Sequence, residues 1–214
     1  MSLLNVRERF LSTVLLALIV VLLASLSPAT AFGGIFGMGE YPGGSLKAVF
    51  LISEPNSDTP ARRYTMKIEP SGETYDVTEN VKSPGRELEN VSTAFGASGG
   101  AGAAGSRYEE DDSPNMDLSP LSTLDDRNVK IEANENYILP DGARLVTRGK
   151  KTIGGIEVVM GTFVHSNYPN QRVNMAFADR KTRDLLLFPS LFEREENGEV
   201  EMRIKLVEFS YRSP

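Results

Sequence analysis

Apolar and polar residues alternate without a break from Val200 to Leu206 (VEMRIKL), the period-two pattern of a strand with one buried face. Asn197-Gly198, just before it, is the preferred pair for a two-residue hairpin turn, because both positions need positive φ. Ile156, Val158, Met160 and Val164 alternate in the same way, and Val173, Met175 and Phe177 form another apolar face. Upstream, Leu46–Ser53 is an apolar run, and Tyr64, Met66 and Ile68 alternate against Thr65, Lys67 and Glu69. Pro70-Ser71-Gly72-Glu73 then predicts a turn into a further strand, Thr74–Val81. Gly154-Gly155 and Asp179–Asp184 supply more turns. Short strands joined by tight turns mean an antiparallel meander rather than β–α units. The fold class expected is therefore mainly β: a curved antiparallel sheet, an incomplete half-open barrel, with one or two short helices and an N-terminal signal or anchor helix before it.

The first 31 residues read as export machinery. Arg7 and Arg9 give a weakly basic start, Val14–Leu26 is uncharged and apolar, and Ala29-Thr30-Ala31 is a small-residue cleavage site. This thirteen-residue run falls short of the ~20 that span a bilayer, which favours a cleaved signal peptide. The alternative counts residues 11–32 as a retained membrane anchor, with the rest of the chain on the outer face. Either way the chain is expected outside the cytoplasm, in the periplasm or on the outer face of the cytoplasmic membrane. Residues 32–45 form a Gly-rich, flexible lead-in, and 46–211 a single β domain interrupted at 83–128.

That interruption is different in composition. It holds a Gly/Ala/Ser tract, Gly96–Ser106, and the acidic run Glu109–Asp112, which bury too little apolar area to offset ordering entropy. A mobile insertion is expected over most of it, with a short helix near its end: Ser119 as cap, Pro120 at the first position, Leu121 and Leu124 on one face. The net charge of −6 divides accordingly. The insertion alone carries −6, residues 32–82 carry −2, and residues 129–214 carry +1. The strand-rich C-terminal half is nearly neutral.

Composition also removes chemistry. With no Cys there is no disulfide, thiolate metal site or cysteine nucleophile. The one His, His165, at a strand end, reads as a solvated turn residue. The acidic balance argues against nucleic acid. Gly100-Ala-Gly-Ala-Ala-Gly105 matches a dinucleotide fingerprint but lacks the strand before and helix after it, and an acidic run follows. Gly96-Ala-Ser98-Gly-Gly100 matches a nucleophile elbow, with Asp141 and His165 downstream. A mobile tract, however, cannot hold Ser98 against an imidazole. Glu109–Asp112 lacks the spaced ligands of a calcium loop. No catalytic residue, metal site or cofactor is assigned.

From Asn136-Tyr137 to Phe209 the chain resembles the LolA/RseB-like periplasmic lipoprotein-carrier superfamily. The matching features are the Asn-Tyr at a strand entry, Gly149–Val158 (G-x-x-x-I-x-G-I-x-V), Arg172–Thr182 (R-V-x-M-A-F-A-D-x-x-T), Leu185-Leu186-Leu187-Phe188 and the Asn197-Gly-Glu-Val200 hairpin. Arg183 departs from the pattern, standing where Gly is expected, and the first half matches poorly. The resemblance implies a half-open barrel around short helices, with an apolar concave face for acyl chains or a partner segment. Met is a flexible filler suited to irregular ligands. Met66, Ile156, Val158, Met160, Met175, Phe177, Met202 and Ile204 are the candidate ligand-binding residues; ordinary core packing is the other role open to them. The function expected is a non-catalytic exported binding protein for a lipid, a lipoprotein or an amphipathic partner segment. The alternative is a membrane-anchored accessory subunit that docks on a larger envelope complex through its β domain.

Overall fold

A computed structural model describes residues 41–94 and 116–214. The expected signal or anchor, the start of the lead-in, the Gly/Ala/Ser tract with Ser98 and the acidic run all lie outside these residues. Ten strands form one antiparallel sheet. They are β1 (Ser45–Ser53), β2 (Arg62–Ser71), β3 (Thr74–Ser83), β4 (Arg86–Ala94), β5 (Asn136–Ile138), β6 (Ala143–Ile153), β7 (Ile156–His165), β8 (Gln171–Ala178), β9 (Leu191–Glu196) and β10 (Glu199–Arg212). Their order is β4-β3-β2-β1-β10-β9-β8-β7-β6-β5. The sheet is thus two meanders joined where the first strand pairs with the last. It is curved and does not close: β4 and β5 are its two edges.

The expected turns form for the expected reason. Asn197 and Gly198 have φ of 53° and 88°, and Gly154 and Gly155 have φ of 59° and 89°, the doubly positive geometry whose twist suits a two-residue hairpin. Gly154 has a second reason to lack a side chain: a Cβ there would lie 2.6 Å from Leu206 Cγ. The β6–β7 hairpin tip therefore packs back against β10, its neighbour four places along the sheet.

Two elements depart from expectation. The insertion predicted over 83–128 is partly strand: Gly85 turns the chain with φ of 77°, and β4 pairs with β3 from Ser83↔Arg86 to Tyr75↔Ala94. Arg86–Ala94 is rich in Glu and Asn, poor strand formers, so its pairing depends on the edge that β3 offers. The lead-in also ends earlier than expected. Tyr41 donates a hydrogen bond to Gly44 O and Tyr211 to Gly43 O, which holds the residues before β1.

Both faces of the sheet are buried, in different places. On one face, Leu46, Ala48 and Phe50 of β1, Tyr64, Met66 and Ile68 of β2, and Ile204 and Leu206 of β10 share a core with Ile153, Val158, Ala176 and Ala178. Its cover is the segment after β8, Leu185, Leu186 and Phe188. The Phe188 ring meets Phe50 edge-on at 5.3 Å and Tyr64 at 5.9 Å. A second core gathers Leu145, Phe163, Val173, Met175 and Phe177 beneath Met116, Leu121 and Leu124. Side chains alternate along a strand, so β8 turns Met175 and Phe177 one way and Ala176 and Ala178 the other. Each Leu, Phe or Met so buried contributes about 1.5–3 kcal/mol.

The cover of the second core is a 3-10 turn, Ser119–Leu121, continued by α1 (Ser122–Asp126). Leu121 and Leu124 point inward as predicted. The cap, however, is not Ser119. Asp117 accepts bonds from the Ser119 N–H at 2.8 Å and its hydroxyl at 3.0 Å, a short-range turn that an ionised carboxylate makes better than a hydroxyl. One ion pair fastens α1 to α2 (Arg180–Arg183), the turn after β8. Arg183 Nη2 lies 2.7 Å from Asp125 Oδ1, with both side chains mostly buried. Arg183 is the residue that departs from the superfamily pattern. Its φ is negative, so Gly is not needed here, and a long side chain can reach across. Arg183→Gly is expected to cost about 2–3 kcal/mol in urea unfolding, since it leaves Asp125 buried without its partner. Replacing both residues with Leu is expected to cost less than the single change. A double variant that loses as much as the two single changes together would show that the pair is not coupled.

Candidate functional site

The eight predicted contact residues do not share one surface. Met66, Val158 and Ile204 are buried in the first core, with Ile156 and Met160 half-buried against it. Met175 and Phe177 are fully buried in the second, on the other face. Met202 is half-buried, opposite Arg194. The one-sided face expected from alternation is corrected by the burial of β7 and β8 on both faces. Leu185–Phe188 and Leu121–Leu124 occupy the space over these residues. His165 is corrected too. It is 4% exposed, its Nδ1 accepts the Asn167 N–H at 3.1 Å, and its ring stands edge-on to Tyr168 at 5.3 Å. It is a packed strand end, not a solvated turn.

The accessible part of the apolar face lies elsewhere, on β3. Tyr75, Val77 and Val81 pack only partly against the first core. They continue the row of Tyr64, Met66 and Ile68, since Tyr64 pairs with Val81 and Ile68 with Val77. Phe188 packs edge-on to Tyr64 and Tyr41 edge-on to Tyr75 at 5.1 Å, while Tyr75, Val77 and Val81 stay half-buried. This strip runs about 20 Å along β3 at 3.3 Å per residue.

Polar groups interrupt the strip at two points. Glu79 faces Met66 in the register and accepts a 2.5 Å hydrogen bond from the buried Tyr64 hydroxyl. Burial of the Tyr64 ring, and then the Glu79 carboxylate beside it, hold its phenol well above 10. The second group is Arg62, two residues before Tyr64 and therefore on the same face. It is 7% exposed, and its Nη1 has no hydrogen-bond partner among the described residues. A buried guanidinium without an acceptor is costly, and anions of carboxylate or phosphate geometry are what it suits. Strand alternation through Arg62-Tyr64-Met66-Ile68 already places this cation inward in the sequence. What the sequence does not show is that nothing described answers it.

Elsewhere, buried polar groups are structural. Thr147, 3% exposed, bonds Glu132 O at 2.6 Å and receives the Glu135 N–H at 2.9 Å, which fastens the chain before β5 to β6. Burial raises the Asp125 carboxyl despite Arg183 and Arg180 beside it. Among the described residues no group of three or more His, Asp or Glu could hold a metal ion, and no helix is long and apolar enough to cross a membrane.

Tyr64 makes the site readable by alkaline titration. Because its phenol stays protonated in the fold while an unfolded Tyr ionises near 10, its contribution to stability is complete below pH 10. That contribution is lost as pH rises above it. Tyr41, pushed up to about 12 by burial and then by Tyr211 and Tyr75, acts in the same direction. Tyr64→Phe is expected to leave the absorbance step near pH 10 unchanged and to flatten the loss of stability above it. A smaller step in the variant would place the Tyr64 hydroxyl in water.

No family model matches the sequence, and no curated protein matches it. Solved structures similar to the chain include MucB in complex with MucA(peri), at 14% identity and a TM-score of 0.44, covering 81% of this chain and 52% of that one. MucB alone has 12% identity and a TM-score of 0.41, with 82% and 56% covered. The Pseudomonas aeruginosa MucA/MucB complex has 14% identity and a TM-score of 0.42, with 81% and 54% covered. The chain spans about half the length of these structures.

Proposed function

We propose that this chain is an exported, non-catalytic binding protein that receives an amphipathic protein segment on the half-open β3 end of its apolar face. The observation that carries this reading is the pairing of that accessible strip, Tyr75, Val77 and Val81, with a buried cation, Arg62, that lacks an acceptor at Nη1. Apolar side chains of the segment lie along the strip, and one carboxylate answers Arg62. A protein segment fits better than a bare acyl chain for two reasons. The deep parts of both faces are filled by the chain's own Leu and Phe residues, and an acyl chain offers Arg62 nothing. A lipoprotein, or a lipid with an anionic headgroup, is the nearest competing ligand. Export follows from the first 31 residues, and N-terminal sequencing of the native protein is expected to find Phe32 first. A start at Met1 would support the retained anchor and with it the accessory-subunit alternative.

The chain has no Trp, so a Trp-labelled amphipathic peptide with one Glu is a clean fluorescent probe. Binding is expected, weakened more than about tenfold by Val77→Asp or Val81→Asp. Arg62→Met is expected to weaken binding too, while raising the stability of the free protein by about 1–3 kcal/mol, since an unanswered buried charge is removed. Loss of stability in Arg62→Met would show that the guanidinium is already paired. Co-purified lipid in native mass spectrometry, with no peptide binding, would sink the protein-segment reading.

A further inference from the structure

The alternation of β6 stops abruptly after Thr147. Ala143, Leu145 and Thr147 are buried, Arg144 and Val146 exposed, and then Arg148, Gly149, Lys150, Lys151 and Thr152 are all exposed before Ile153 is buried again. The cause is in the pairing. β5 covers β6 only at Arg144–Val146, with one further bond from the Thr147 N–H to Glu135 O. On the other side, the register with β7 shifts between Thr147 and Lys150. Beyond Thr147, β6 is therefore itself the edge of the sheet among the described residues.

Its free edge has a definite hydrogen-bonding pattern. Ile153 and Ile156 flank the two-residue turn and exchange bonds with each other. Lys151 and Val158 form the next bonded pair. The N–H and C=O of Lys150 and Thr152 then point away from β7, with no strand beyond them among the described residues. Charge accompanies this edge. Lys150 is held by Glu157 at 2.6 Å, and Glu132 also lies within its field. Arg148 and Lys151 have no ion pair among the described residues. A chain of net charge −6 thus gathers cations on its one open stretch of β6.

We infer that the Arg148–Thr152 edge of β6 takes an extended, acidic peptide segment of a partner protein as an added strand. The partner backbone meets the outward groups of Lys150 and Thr152, and its carboxylates meet Arg148 and Lys151. A second copy of this chain is a poor occupant, because like cations would stand opposite one another. This site lies across the sheet from the β3 strip and does not depend on it.

The test uses the full chain and a fluorescein-labelled ten-residue peptide in which Glu alternates with Val and Thr, beside a counterpart with Lys in place of Glu. The acidic peptide is expected to bind and the Lys peptide not, with affinity falling as salt is raised. Arg148→Glu with Lys151→Glu is expected to weaken binding more than about tenfold. Thr152→Pro removes an outward N–H without touching the β7 ladder and is expected to do the same, with circular dichroism unchanged. Amide exchange supplies a readout that needs no variant: Lys150 and Thr152 are expected to exchange fast in the free protein and to be protected in the complex. Val77→Asp is expected to leave this binding unchanged, which separates it from the β3 strip. Unprotected amides at both positions, or full binding by both variants, would overturn the proposal. Binding of an oligonucleotide or of anionic vesicles that is lost on charge reversal but indifferent to Thr152→Pro would replace it with a phosphate site. No binding of any probe would leave the cations as guards against edge-to-edge aggregation and overturn it equally.

Discussion

An antiparallel sheet that curves without closing cannot hide its own apolar positions, and the rest of this structure follows from that constraint. A closed barrel buries one face by geometry alone. Here the covering must come from elsewhere, and two short segments supply it. Leu185–Phe188 fills one face against Phe50 and Tyr64, and Leu121–Leu124 fills the other against Leu145 and Met175. Neither segment is long enough to be stable alone. Each is held by what it covers and by the ion pair between Asp125 and Arg183, which links the two covers directly. A change in one cover is therefore felt by the other.

The same constraint locates the gaps in the sheet. Where the covers end, the apolar face continues onto β3, and the two charged groups on that stretch are treated differently. Glu79 is answered by the Tyr64 hydroxyl, whereas Arg62 Nη1 is not answered among the described residues. A well-packed core has little reason to retain such a group, and surfaces kept for binding commonly hold stability in reserve in this way. Where strand pairing ends, β6 is left, among the described residues, with free backbone groups and with Arg148 and Lys151 in no ion pair. Both features are gaps in what the sheet completes for itself.

Much of the sheet was legible from alternation and turn chemistry. The β2 row, the Asn197-Gly198 and Gly154-Gly155 hairpins and the long final strand are where the pattern places them, because a buried face enforces period two and a two-residue turn demands positive φ. β4 was not legible, since Arg86–Ala94 is polar and its strand state comes from a neighbour. Ser119 does not cap the turn before α1, because its hydroxyl is taken up as a donor to Asp117 and no side-chain cap bond forms there. The candidate contact residues all lie on strands. Their division between two cores was hidden, since alternation reports that a face is buried and not which one, or by what.

The amino-acid sequence by itself determined the mainly antiparallel architecture, the turns, the absence of thiol chemistry and the near-neutral charge of the C-terminal half. These are local properties: each depends on residues a few positions apart. Only the tertiary structure decided that β1 joins β10, that both faces are covered, that His165 is packed and that Arg62 Nη1 lacks a partner among the described residues. It also decided that β6 becomes an edge after Thr147. Those outcomes depend on residues far apart in the chain meeting across the sheet, and a pattern that repeats every two residues carries no information about which strand lies alongside.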